Sequence, residues 1–236
     1  MINKIFRSQF DLANLSLQKS VPIFSDNPDY NGLVVRKPWG YEYLLFENKH
    51  VAIWFLYIKN GMKTSMHCHP NKKTSLINLH GKIETSSLTD TFLLSEKEAI
   101  MIDNGVFHST LAISNGGAYV IEIENPPNKG DLIRLRDAYG RENKGYEGVS
   151  ETTRDLSGFE YHAFAKTDIE KSFKNRIMSL ISTTDLACTI LHPSDIICPI
   201  AHDDNNYSLL GEVLHVGSKL EQDCLSQNSI RFLLIR

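Results

Sequence analysis

The chain lacks most of the features that would place it outside ordinary globular proteins. Its 236 residues contain four cysteines, at 68, 188, 198 and 224, with no Cys-x-x-Cys pair. That argues against a cysteine zinc site and, with no secretory signal, against a disulfide framework. No apolar run approaches the ~20 residues needed to span a bilayer. The longest, 51–58, has the length of a strand. There is no run of basic residues and the formal net charge is −3, which excludes the electrostatic footprint of a nucleic-acid binder. The opening Met-Ile-Asn-Lys-Ile-Phe-Arg-Ser has no apolar core of a signal peptide. Low-complexity segments are also missing. These absences predict a reduced, cytoplasmic protein whose thiols pack in the core, with no membrane and no nucleic-acid partner.

What is present is a full-sized core in prospect, with 42% hydrophobic and 22% charged residues, enough for one domain or one domain with an annex. Residues 1–32 read as an N-terminal arm, with Pro22 and a turn-rich stretch at 25–29, of the kind that packs on a partner subunit. From residue 33 the pattern is β. Short apolar or alternating runs occupy 34–35, 41–46, 51–59, 76–79, 82–86, 91–94, 99–102, 110–113 and 118–124. Asn60-Gly61, His80-Gly81, Asn104-Gly105 and Asn115-Gly-Gly punctuate them. Many short strands at this spacing predict an all-β sandwich or barrel. Residues 125–160 read as a long ordered loop. A capping box at Thr167 and Glu170, and an apolar face of Ile169, Phe173, Ile177 and Ile181, predict a helix over 167–182. Strands return at 187–191, 209–216 and 230–235. The expected division is an arm (1–32), a β domain (33–164) and a C-terminal helix-plus-strands annex (165–236), with a degenerate half-roll as the alternative reading of the last.

Three histidines carry the chemical signal. In an extended strand, residues i and i+2 share a face. His67 and His69 therefore aim two imidazoles at one point while Cys68 faces away. Imidazole is the commonest protein ligand for zinc, iron, nickel and copper. A third imidazole at His108 completes one face of a coordination sphere and leaves positions open for water or substrate.

The spacing Gly61-x5-His67-x-His69-x4-Thr74-x6-Gly81, followed by Asp103-Asn104-Gly105-Val-Phe-His108, resembles the two metal-binding motifs of the cupin superfamily. Two further segments resemble one branch of it, the type II phosphomannose isomerase and mannose-1-phosphate guanylyltransferase group. They are Lys37-Pro38-Trp39-Gly40-Tyr41-Glu42 and Gly130-Asp131-Leu-Ile-Arg134-Leu-Arg-Asp137-Ala-Tyr139-Gly140-Arg141. Ser65-Met-His67-Cys-His69 lies over that group's Ser-Leu-Gln-x-His. The resemblance spans about residues 36–142. It implies a cupin jelly roll, one divalent metal per chain and interconversion of aldose and ketose phosphates. Zinc is the preferred metal, with iron, manganese or nickel as alternatives. It also implies a sugar phosphate or nucleotide-linked sugar as ligand, and a homodimer. The group's ligand positions fall on His67, His69, Thr74 and His108. Thr74 replaces the usual glutamate, so a three-histidine site is expected. The guanylyltransferase's glycine-rich nucleotidyltransferase domain is not in this sequence.

Proton transfer between adjacent carbons needs a base beside the substrate and cationic groups to hold an enediolate. Glu122 and Glu124, on one face of a strand, are the candidate bases, with a metal-bound hydroxide as the alternative. Arg134 is the candidate for charge stabilisation, through bidentate pairing with an oxyanion or phosphate. Lys37 and Arg141 are candidate phosphate contacts. Asn78, of the same strand parity as Thr74, is a candidate substrate contact. Arg134, Asp137 and Arg141 also read as an ion-pair network that fixes a loop, and Trp39 as a core plug. Two other functions suit the same residues: a three-histidine Fe(II) dioxygenase and a non-catalytic sugar-binding module.

Overall fold

The computed structural model describes residues 1–17, 29–142, 146–165, 168–202, 208–218 and 230–236. The chain opens with strand β1 (Ile2–Ile5) and helix α1 (Gln9–Leu17). Strands β2 (Val34–Lys37), β3 (Gly40–Glu47), β4 (Ala52–Ile58), β5 (Met66–Cys68), β6 (Lys73–His80) and β7 (Ile83–Ser87) follow. Then come β8 (Thr91–Leu94), β9 (Ala99–Ile102), β10 (His108–Ala112), β11 (Ala118–Asn125), β12 (Ile133–Arg136) and β13 (Thr152–Thr153). The last segment holds β14 (Glu170–Phe173), β15 (Arg176–Ser182), α2 (Thr183–Ala187), β16 (Ile196–Ala201), β17 (Leu214–His215) and β18 (Arg231–Ile235).

One sheet runs β1-β9-β6-β11-β4-β3-β2-β13 and a second runs β12-β5-β10-β7-β8. Within them, β4-β11-β6-β9 faces β5-β10-β7-β8. That is the strand order of a double-sheet jelly roll, in which the chain crosses between sheets and closes a cavity between their inner faces. The alternation of residues in the large sheet follows from its two burials. Trp54, Leu56, Leu76, Ile100 and Val120 face the interior of the roll. Their neighbours Ile53, Phe55, Ile77, Ala99 and Ile121 face outward.

That outward face is covered by a third sheet, β14-β15-β18-β16-β17. Phe173, Met178, Leu180, Ile196, Leu233 and Ile235 of this sheet form one apolar cluster with the large sheet. Phe173 packs edge-on to Phe55 at 5.0 Å between ring centroids and lies 4.8 Å from Tyr119. The far face of the third sheet has its own small core of Leu186, Ile197, Phe232 and Leu234. The molecule is therefore a three-layer β structure, all-β apart from two short α-helices and one 3-10 turn (Val149–Glu151) among the described residues.

Several segments differ from the sequence expectation. The helix expected over 167–182 is a hairpin of β14 and β15, turned at Lys174 with φ +53°. The cause is burial on both sides. In β15, Met178 and Leu180 face the large sheet while Ile181 packs on the opposite core, so a strand carries apolar residues without strict alternation. The capping box exists, but at Ser182 and Asp185, where it starts α2. Thr167 lies outside the described residues. The strand expected at 187–191 is the end of α2 and a turn, with Ile190 exposed. Over 209–216 only Leu214–His215 is extended. The first seventeen residues lie against the roll itself. β1 pairs in parallel with β9, and Asp11 of α1 accepts the Phe107 amide at 2.9 Å. Pro22 and residues 25–28 of the expected turn lie outside the described residues. Cys68 and Cys198 are buried, whereas Cys188 is exposed, contrary to the expected core position. Cys224 lies outside the described residues. No described helix is long and apolar enough to cross a membrane.

Candidate metal centre and its charged cavity

The site is built on β5, a strand of three residues. His67 is the cross-strand partner of His108 on one side and of Arg134 on the other. Directly opposed residues share a face, so His108, His67 and Arg134 form a row across β10, β5 and β12. His69 continues the same parity beyond the end of β5. The three imidazoles place ligand nitrogens within 4.8 Å of one another.

Each ring is oriented by a backbone carbonyl. His67 Nδ1 lies 2.7 Å from Ser65 O, His69 Nδ1 2.6 Å from Asp131 O, and His108 Nδ1 3.0 Å from Val106 O. A ring whose Nδ1–H donates to a carbonyl keeps its Nε2 lone pair for another partner. His69 Nε2 is buried and makes no hydrogen bond. Burial, reinforced by neighbouring cationic groups, pushes His67 and His69 well below the usual histidine range. Burial brings His108 down to about 4. Three neutral imidazoles with inward Nε2 atoms are what a borderline divalent metal requires, so these residues fit one.

The loop residues support the trio. Asp131 accepts the amides of Asn71 and Lys72 at 2.8 and 2.9 Å, and so locks the loop after His69. Gly105, at φ +75°, donates its amide to His69 O at 2.7 Å and ties the turn before His108 to the same place. That left-handed conformation favours glycine.

Opposite the histidines stands a charged wall. Glu122 and Glu124 of β11 and Glu42 of β3 line the cavity with Lys37, Lys72, Lys129, Arg134 and Arg141. Glu122 Oε1 lies 3.9 Å from His69 Nε2. Its carboxyl is raised by burial, although Lys129 lies 3.5 Å away. Glu124 is different: Lys72 at 2.7 Å and Lys129 at 3.0 Å hold it in the charged form against the cost of burial. Burial also opposes the charge on Glu42, but Lys129 and Lys37 bring its carboxyl down to about 2. Lys129 additionally sits 3.9 Å above the Trp54 ring. At the edge of the cavity, Glu147 pairs with Lys37, with Arg134 at 3.2 Å and with Arg141 at 2.5 Å.

Most of the residues singled out in the sequence come together here. His67, His69, His108, Glu122, Glu124, Lys37, Arg134 and Arg141 all line one cavity, with Trp39. Asn78 does not. It is fully buried and donates to Gly81 O at 2.8 Å and Leu94 O at 3.0 Å, so its amide holds a strand corner. Thr74 is buried, with a hydroxyl that makes no hydrogen bond; it pairs across strands with Glu124 and does not line the cavity. Arg141 also pairs with Asp137 at 2.8 Å, so the loop-fixing network is present as well. Sequence reasoning missed Lys72, Lys129, Tyr146 and Glu147. Nothing local marks them, because loops bring them to the cavity. Glu42 did carry a signal: a lone acid inside the apolar run Tyr41–Phe46.

No family model matches the chain, and no curated protein matches it. Solved structures resemble part of it. KdgF from Halomonas sp. is 14% identical, with a TM-score of 0.37 over 39% of this chain and 84% of that one. The capsular polysaccharide assembling protein CapF from Staphylococcus aureus is 18% identical, with a TM-score of 0.39 over 44% of this chain and 34% of that one. A cupin-2 domain protein from Shewanella frigidimarina is 17% identical, with a TM-score of 0.33 over 36% of this chain and 78% of that one. The match thus spans about a third of the CapF structure's length.

Proposed function

We propose that the chain is a metal-dependent enzyme acting on a sugar phosphate or nucleotide-linked sugar, with proton transfer of the aldose–ketose isomerase type. One observation carries this reading: a convergent His67–His69–His108 trio shares a cavity with Arg134 and with a buried Glu122, whose carboxylate lies 3.9 Å from His69 Nε2. The trio would hold the metal, zinc in preference to iron, manganese or nickel. Such a metal polarises a carbonyl and stabilises charge on its oxygen. Glu122, with its carboxyl raised by burial, is placed to carry a proton between adjacent carbons. Glu124, fixed by two lysines, keeps Lys72 and Lys129 in position instead. Arg134, beside His67, offers a guanidinium to an oxyanion. Lys37 and Arg141 extend the positive edge toward a phosphate.

The test begins with elemental analysis of protein purified without oxygen, histidine tag or added metal. One zinc per chain, followed by exchange of a carbon-bound proton in heavy water with a sugar phosphate, is the expected result. A metal-loaded protein that exchanges no proton with any hexose or pentose phosphate overturns the isomerase reading. A second reading, an iron dioxygenase, is favoured by the all-histidine composition of the cluster among the described residues. One iron per chain and oxygen uptake with substrate would select it.

A further inference from the structure

Lys37, Arg134 and Arg141 come from β2, from β12 and from the loop that follows it. All three line the cavity, and all three pair with one carboxylate, Glu147; Lys37 also pairs with Glu42 at 3.4 Å and Arg141 with Asp137 at 2.8 Å. A single carboxylate held by two guanidinium groups and an ammonium matches the recognition pattern of a phosphoryl group.

Glu147 is anchored unlike the other acids of this cluster. Glu42, Glu122 and Glu124 belong to strands of the large sheet. Asp137 sits in a loop, but it accepts the backbone amides of Tyr139 at 3.0 Å and Arg141 at 2.8 Å. Glu147 lies outside any strand and, among the described residues, accepts from side chains alone. No backbone hydrogen bond fixes Tyr146 or Glu147 among the described residues. Tyr146 is held by side-chain contacts: its hydroxyl donates to Glu42, its ring packs edge-on to Tyr30 at 5.8 Å and lies 6.5 Å from Trp54, and the Lys37 ammonium sits 3.8 Å above it. Lifting Glu147 therefore breaks ion pairs but no backbone ladder. A buried cation stripped of its partner is costly, so the carboxylate leaves only when another anion takes its place.

We propose that the Lys37–Arg134–Arg141 cradle is the seat of the ligand's phosphoryl oxyanion, and that Glu147 is a resident internal competitor displaced when the ligand binds. The proposal rests on the reading of this cavity as a site for a phosphorylated sugar. The exchange replaces a monoanion with a group of up to two negative charges, against three cations and Asp137. Ligands without a phosphoryl group do not recover the broken ion pairs, so Glu147 also acts as a filter against neutral sugars.

The probe is inorganic phosphate, titrated calorimetrically into the metal-free chain. Glu147→Gln should bind phosphate about tenfold or more tightly than the wild type, because a like charge has left the site. Adding Arg134→Met to that variant should abolish the gain. Equal or weaker binding by Glu147→Gln, or no binding by either protein, overturns the proposal. If Glu147→Gln does not fold, Glu147→Asp serves. Its shorter arm reaches fewer cations, so phosphate should again bind more tightly, and unchanged affinity counts against displacement. Competition by a hexose 6-phosphate and by a nucleotide-linked hexose then separates the two sources of the group, and failure of both to compete counts against it. Phosphate binding without proton exchange leaves this inference standing and sinks only the isomerase reading. Proton exchange that phosphate does not inhibit sinks only this inference.

Discussion

The Nδ1 atom of His69 lies 2.6 Å from the backbone carbonyl oxygen of Asp131, sixty-two residues further along the chain. The same aspartate's carboxylate grips the amides of Asn71 and Lys72. One residue thus sets the ring of a metal-ligand candidate and the loop that leaves it.

Asp131→Ala should keep the fold and lose metal affinity. The carbonyl remains, but its position is no longer held by the side chain. Loss of such an outer partner costs about 10–100-fold in affinity. Cobalt titration followed by visible absorption measures it. An unchanged dissociation constant would show that the carbonyl needs no such support.

Glu122→Gln keeps size and removes the carboxyl proposed to carry the proton. Turnover should fall by about 10²–10⁴-fold, while metal content stays at the wild-type level. Glu124→Gln should act through stability, because it leaves Lys72 short of its partner in a fully buried place. Comparing proton exchange with the urea midpoint for each variant distinguishes the two roles. Equal effects of both on exchange, at equal stability, would contradict the assignment of Glu122.

The acid side of the stability profile has a predictable sign. Burial depresses the histidine trio, with His108 at about 4, against about 6.5 in an unfolded chain. Above that unfolded value the rings are neutral in both states and contribute no pH dependence. As pH falls below it, the unfolded chain gains protons that the folded chain refuses, so stability declines toward pH 4. Glu42, held at about 2, adds a second decline once pH drops through the ordinary carboxylate range. Urea midpoints of metal-free protein between pH 8 and 5 check the first window. A midpoint that stays flat from pH 7 to 5 would mean that the rings are not buried in the neutral form.

Phe173→Ala tests the third sheet. The side chain is buried between Phe55 and Tyr119, and removing it should cost about 3–5 kcal/mol. Because that cluster joins two sheets, the loss should appear as a lower midpoint in one cooperative transition. Two separated transitions would show that the third sheet folds on its own.

The legibility of the sequence followed the range of the interaction. His67 and His69 were readable because side chains alternate with period two, a property of one strand. His108 was readable from its turn, with Gly105 in the left-handed region. The strands of the roll were readable for the same local reason. Residues 170–182 were not, because a hairpin buried on both faces shows Phe173 of one strand and Ile177 and Ile181 of the next at a spacing that a helix face also has. Asn78 shared the right parity but sits at a corner, where its amide serves Gly81 and Leu94. Lys72, Lys129 and Glu147 meet only through the closure of loops around the cavity, and local sequence carries no trace of that.

The large sheet is a shared wall, with the cavity on one side and the third sheet on the other. Strands in that position have little freedom to drift, since a change of size on either face is felt by a packed layer. New ligand preferences in descendants of this chain would have to be written in the loops that carry Lys72, Lys129, Arg141 and Glu147. The histidine row and the wall behind it would persist as an inherited chassis.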